Sequence, residues 1–102
     1  MTKIKFTKIA VKDLSDIWNY TADNWSERQA NIYYQLIIKA CSAIAKKPQI
    51  GKDYNEIFPE LKGKKSSKHI IFYRIIDDHS IEITRILHEQ MDLKNKLDID
   101  FF

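Results

Sequence analysis

The stretch His69–Leu97, HIIFYRIIDDHSIEITRILHEQMDLKNKL, decides how the rest of the chain is read. Apolar runs from Ile70 to Ile76 and from Ile81 to Leu87 flank the polar turn Asp77-Asp78-His79-Ser80. Both runs are rich in β-branched and aromatic residues, the pattern of a β-hairpin. With Asp78 and His79 as the two turn residues, Asp77 pairs with Ser80, Ile76 lies opposite Ile81, Arg74 opposite Ile83 and Phe72 opposite Arg85. Arg74 and Arg85 then share a face. A three-residue loop would shift the pairing by one and separate them. Beyond His88, the apolar spacing from Met91 to Leu97 suits a short helical tail, and the closing Phe101-Phe102 argues for docking on this chain or on a partner.

Upstream lies the support for this hairpin. Lys3-Ile4-Lys5-Phe6 alternates polar and apolar residues as a short strand does, and Thr7 has the chemistry of a helix N-cap. From Lys8, Leu14, Ile17, Trp18 and Trp25 recur at helical spacing, which predicts a first helix over Lys8–Asn24. Ser26 with Gln29 three residues on is a capping box, with Trp25 placed to staple against Ala30. The second helix carries the stripe Ala30, Tyr33, Ile37, Ala40, Cys41 and Ile44, widened by Leu36, and ends at Lys46-Lys47 before Pro48. Only Trp25 and the Ser26 cap separate the helices, so they form an antiparallel pair. Pro48–Glu60 reads as the one extended connection, and Leu61–Ser67 as a lysine-rich edge strand.

This order, strand, two helices, then three strands, is an α+β fold in which a helical hairpin covers one face of a small antiparallel sheet, with a helical tail. The first strand joins the sheet beside the C-terminal strands. The 102 residues form one domain, spanning 1–102. A hydrophobic content of 44% with 30% charged residues excludes a disordered chain, and no apolar run approaches the ~20 residues of a membrane span. A cytoplasmic protein is expected. The single Cys41 excludes an internal disulfide and a cysteine-built metal site, and suits a small core filler. The strand Ile70–Ile76 is apolar on both faces, although the helical hairpin covers one. Either the tail or a partner is expected on the other.

No phosphate-binding glycine loop, zincin or nucleophile-elbow motif occurs, the histidines lack ligand spacing, and no cofactor is implied. One constellation carries possible acid–base or phosphate chemistry: Lys64, Lys65, Lys68, Arg74, Arg85 and His88. The simpler reading pairs the arginines with acids such as Glu82 or Glu89. The lysines from Lys46 to Lys68 admit a nucleic-acid or acidic-protein partner, or a solvated edge.

Taken in order, these residues resemble the ParE toxins of the RelE/ParE superfamily, from bacterial type II toxin–antitoxin systems. The resemblance runs through YTADNWSERQANIYY (Tyr20–Tyr34), AKKPQIGKDYNEIFPELK (Ala45–Lys62), HIIFYRI (His69–Ile75) and above all RILHEQMDLKNKL (Arg85–Leu97), which looks like the family's R-I-L-H-x-x-M-D ending. It implies a β-α-α-β-β-β fold, a ParD-like antitoxin wrapped on the toxin, and DNA gyrase as target, without covalent chemistry by the toxin. Candidate partner or target contacts are then Phe72, Arg74, Arg85, His88, Met91, Asp92 and Leu97. The RelE branch instead implies ribosome-dependent cleavage of messenger RNA, with Arg85, His88, Arg74 and Lys68 as catalytic candidates. That branch uses a Tyr, His or Arg near the end of the last strand, and no tyrosine follows it here.

Overall fold

The computed structural model describes residues 2–89. The helical tail expected over Met91–Leu97, the contacts expected of Met91, Asp92 and Leu97, and the docking of Phe101 and Phe102 all lie outside the described residues. The chain runs β1 (Lys3–Phe6), α1 (Lys8–Asn24), α2 (Glu27–Lys46), a 3-10 turn (Pro48–Ile50), β2 (Lys52–Asp53), β3 (Lys62–Ser66), β4 (His69–Asp77) and β5 (Ser80–His88). The five strands form one sheet in the order β1-β5-β4-β3-β2. The α+β class, the helical hairpin and the β-α-α-β-β-β order all hold. The sheet is mixed, because β1 joins it parallel to β5, and the Pro48–Glu60 connection contributes the small extra strand β2.

Both helices begin where their caps dictate. The Thr7 side chain accepts from the Ala10 N–H at 3.0 Å and the Ser26 side chain from the Gln29 N–H at 3.0 Å, each satisfying an orphan donor of the first turn. Thr7 also ties the helix to the sheet, its hydroxyl donating to the Thr84 carbonyl at 2.8 Å. Ala10 and Leu14 of α1 and Ile37, Cys41 and Ile44 of α2 pack on Ile71, Tyr73, Ile81, Ile83 and Ile86 of the sheet. The spacing of Ile37, Cys41 and Ile44 keeps one stripe inward, and each fully buried isoleucine contributes roughly 1.5–3 kcal/mol. Two expectations on the helices are corrected. Trp25, placed to staple against Ala30, is left 74% exposed, and Leu36, 48% exposed, lies off the buried stripe.

The β4–β5 hairpin carries two compensating bulges. Asp77 faces Ser80 as expected, but Ile75 rather than Ile76 faces Ile81, so Ile76 is an extra residue on β4 and is left exposed. Arg74 consequently faces Glu82 instead of Ile83. Thr84 is then an extra residue on β5, and the expected pairing of Phe72 with Arg85 returns. The turn is held by Asp77, whose carboxylate accepts from the His79 N–H at 2.7 Å and the Ser80 hydroxyl at 3.0 Å.

Among the described residues, an element not expected there covers the second face of the sheet. The Pro48–Glu60 connection folds under it, placing Tyr54, Ile57 and Phe58 against Leu61, Ile70, Phe72 and Leu87. Tyr54 meets Phe72 edge to face, with ring centroids 5.1 Å apart. Gly63 permits this approach, since a Cβ there would lie 2.7 Å from the Tyr54 ring. A matching device fastens the start of the connection: the buried Tyr73 hydroxyl donates to the Pro48 carbonyl at 2.6 Å and accepts from the Gly51 N–H at 2.9 Å.

Candidate functional site

β1 ends opposite Ile83, where Thr7 turns the chain into α1, so the remainder of β5 has no β1 partner. Helix α1 lies there instead and presents Asp13. Its carboxylate accepts from Arg85 Nε at 2.8 Å, Arg85 Nη2 at 3.0 Å and the backbone N–H of Ile86 at 3.0 Å. The two side chains are 5% and 11% exposed. A bidentate guanidinium–carboxylate pair at this burial is geometrically specific, and the third bond satisfies a strand N–H that would otherwise need a partner.

At the open end of the hairpin the antiparallel register sets His69 directly against His88. Their rings meet edge to face at 5.3 Å, and the Tyr33 hydroxyl of α2 hydrogen-bonds His69 Nδ1 at 2.5 Å. Burial, reinforced by the neighbouring His88, pushes the His69 pKa down to about 4. His69 is therefore neutral at physiological pH. Glu89, following the strand, accepts from Lys65 at 2.7 Å, which holds its carboxyl below the ordinary range, and its N–H donates to the Lys68 carbonyl at 2.9 Å.

Arg85, His88, His69 and Asp13, with Lys12 and Asp16, line a cleft of about 390 Å³ between α1 and the end of β5. Of the residues singled out in the sequence, the fold thus brings Arg85 and His88 together. Lys68 stands on the far side of the histidine pair, in a neighbouring cleft that His88 also lines. Arg74 lines neither cleft, and its guanidinium donates to Glu82 at 3.0 Å. Phe72 is fully buried beneath Tyr54. The joint cationic face of Arg74 and Arg85 therefore does not form, since each guanidinium is bound to a carboxylate on a different element. The expected pairing of Arg74 with Glu82 is met, whereas Arg85 is bound by Asp13 rather than by Glu82 or Glu89.

Asp13, Tyr33 and His69 are the site members that sequence reasoning missed. The pairing of Phe72 with Arg85, carried three residues on, already places His69 opposite His88. Nothing comparable marks Asp13, whose position on the sheet-facing side of α1 is set by the packing of helix on strand. Among the described residues no group of three or more His, Cys, Asp or Glu side chains is placed to hold a metal ion.

Comparison with known proteins follows this geometry. The family model described as the ParE toxin of type II toxin–antitoxin systems, parDE, matches residues 4–93. Toxin ParE1 of Mycobacterium tuberculosis is 33% identical over 84 residues, covering 82% of this chain and 86% of its own. Toxin ParE of Escherichia coli is 30% identical over 97 residues, covering 95% and 94%. Among solved structures, a chain of the chromosomal ParDE toxin–antitoxin system from P. aeruginosa superposes with a TM-score of 0.74 at 19% identity, covering 86% of this chain and 96% of its own. A chain of the RelBE2 toxin–antitoxin complex from Mycobacterium tuberculosis does so with 0.63 at 19% identity, covering 86% and 98%. At that identity the two structures attest the fold.

Proposed function

The chain belongs to the ParE toxin family of type II toxin–antitoxin systems, and we propose that it acts by binding DNA gyrase and stalling it on DNA, with a ParD-like antitoxin holding it inactive. The family match carries this reading, because it spans both helices, all of the sheet but Lys3, and the Arg85–Asp92 ending. The chemistry of the site agrees with a binding protein rather than a nuclease. Phosphate cleavage asks for a cation aimed at the phosphate, and the two candidate guanidiniums are both committed, Arg85 to Asp13 and Arg74 to Glu82. His69 is a neutral base, but it is tied to Tyr33 and set within the fold. The toxin then works by occupying its target and breaks no bond itself. Gyrase acts in the cytoplasm, which is where the protein would act, and no helix among the described residues is long and apolar enough to cross a membrane.

The antitoxin is proposed to be of the ParD type and to bind through a segment that orders on the toxin, gaining a large interface at the cost of that ordering. Expressing the chain alone in bacteria tests the target. Gyrase-dependent DNA breaks with induction of the DNA-damage response are expected, and co-expression of the antitoxin should abolish both. Intact DNA with rapid loss of messenger RNA would overturn the reading in favour of a ribosome-dependent nuclease.

A further inference from the structure

On the other side of the His69–His88 pair, a cleft of about 400 Å³ separates the tip of the helical hairpin from the Ser67–Lys68 turn. Its volume falls in the ~300–1,000 Å³ range of small-molecule sites. Tyr20 and Trp25, 67% and 74% exposed, stand at its helical side. Neither ring belongs to the core, and large aromatic surface left in water at the mouth of a cleft favours a flat ligand that covers it. The opposite wall is basic and polar. Lys68 has no carboxylate within ion-pair distance among the described residues, and its turn is fastened by its own carbonyl accepting from Glu89 N–H at 2.9 Å. Gln29, on the first turn of α2, offers an amide that donates and accepts at once, as the edge of a nucleobase requires.

We propose that this cleft binds one nucleotide unit, its base stacked on Trp25 and Tyr20 with an edge on Gln29, and its phosphate on Lys68. Aromatic faces paired with a cation are the elements by which proteins take nucleotides from single strands without reading sequence. The hydrogen bond of Tyr33 to His69 fixes the wall between the two clefts. Binding here asks no bond to break and is independent of what the toxin does to gyrase. The same chemistry serves a free nucleotide or a nucleotide within a strand.

The full chain, freed of antitoxin, is titrated with AMP, with hexa-adenylate and with a hexa-aspartate peptide, by calorimetry and by the NMR signal of the Trp25 indole. Saturable binding of AMP is expected if a free nucleotide is the ligand, and of hexa-adenylate alone if a strand is. Trp25→Ala should weaken either by at least about fivefold, whereas Trp18→Phe should not. Lys68→Ala should reduce the salt dependence of hexa-adenylate binding by about 0.7 in log–log slope. The proposal is overturned if neither nucleotide ligand saturates a folded protein, if Trp25→Ala binds as tightly as wild type, or if the acidic peptide binds as well as the nucleotides do.

Discussion

Asp13 and Arg85, 72 positions apart in the chain, meet in a two-point ion pair at 2.8 and 3.0 Å, and the same carboxylate accepts the N–H of Ile86. One side chain thus joins the first helix to the last strand. Removing it takes two hydrogen bonds from a buried guanidinium and the acceptor from a strand N–H. Asp13→Ala should therefore lower stability by about 3–5 kcal/mol, and Asp13→Asn by less. Urea unfolding followed by circular dichroism measures this, and an unchanged midpoint would show that the pair contributes nothing. Loss of toxicity in an Arg85 variant consequently needs a folding control before Arg85 is counted as a target contact.

Acid should weaken the fold through His69. Its pKa is about 4 when folded, against about 6.5 when exposed. Between those values the unfolded chain binds the proton that the folded chain refuses, so stability is full above about pH 6.5, declines as pH falls toward about 4 and levels off below it. His69→Phe should flatten that slope across the window. If urea midpoints of the variant and the wild type fall in parallel between these pH values, some other group is responsible.

Gly51 and Tyr73 should behave as one unit. A Cβ at Gly51 would collide with the Tyr73 hydroxyl, so Gly51→Ala must displace the ring or the connection. A loss of about 1–3 kcal/mol is expected for that overpacking, and a similar loss for Tyr73→Phe, which leaves the Gly51 N–H and Pro48 carbonyl without their partner. Because Tyr73→Phe also removes the nearest of the clashing side-chain atoms, the double variant should lose less than the sum. Additive losses in the mutant cycle would dismiss the coupling.

Cys41 should be chemically silent in the folded protein. It is 1% exposed, and burial pushes its thiol up to about 11, so the thiolate is scarce at pH 8. Iodoacetamide should label the protein only after urea is added. Rapid labelling under folding conditions would contradict the packing of α2 on the sheet.

Helix boundaries were legible because their signals are local. Thr7 and Ser26 cap the first turn with their own side chains, and Pro48 closes α2, so neighbouring residues suffice to place them. The hairpin turn was legible for the same reason, through Asp77 and Ser80. The bulges at Ile76 and Thr84 were not, because no glycine or proline marks either position. Asp13 escaped notice since one acid on a charged helix looks like any other until a strand arrives beside it. The second face was misjudged in a more instructive way. Tyr54, Ile57 and Phe58 sit in a segment that reads as mere connection, and only the close approach allowed by Gly63 turns it into a lid on Phe72.

The parallel pairing of β1 with β5 has a consequence for the order of synthesis. β5 lies between β1 and β4, yet it is the last of these elements to leave the ribosome. Until Ser80–His88 emerge, the first strand has no neighbour, β4 has one bare edge, and Asp13 waits for its arginine. A message cut or a ribosome halted before that point yields only a helical hairpin beside an unfinished sheet. The sheet therefore closes only once β5 has been translated.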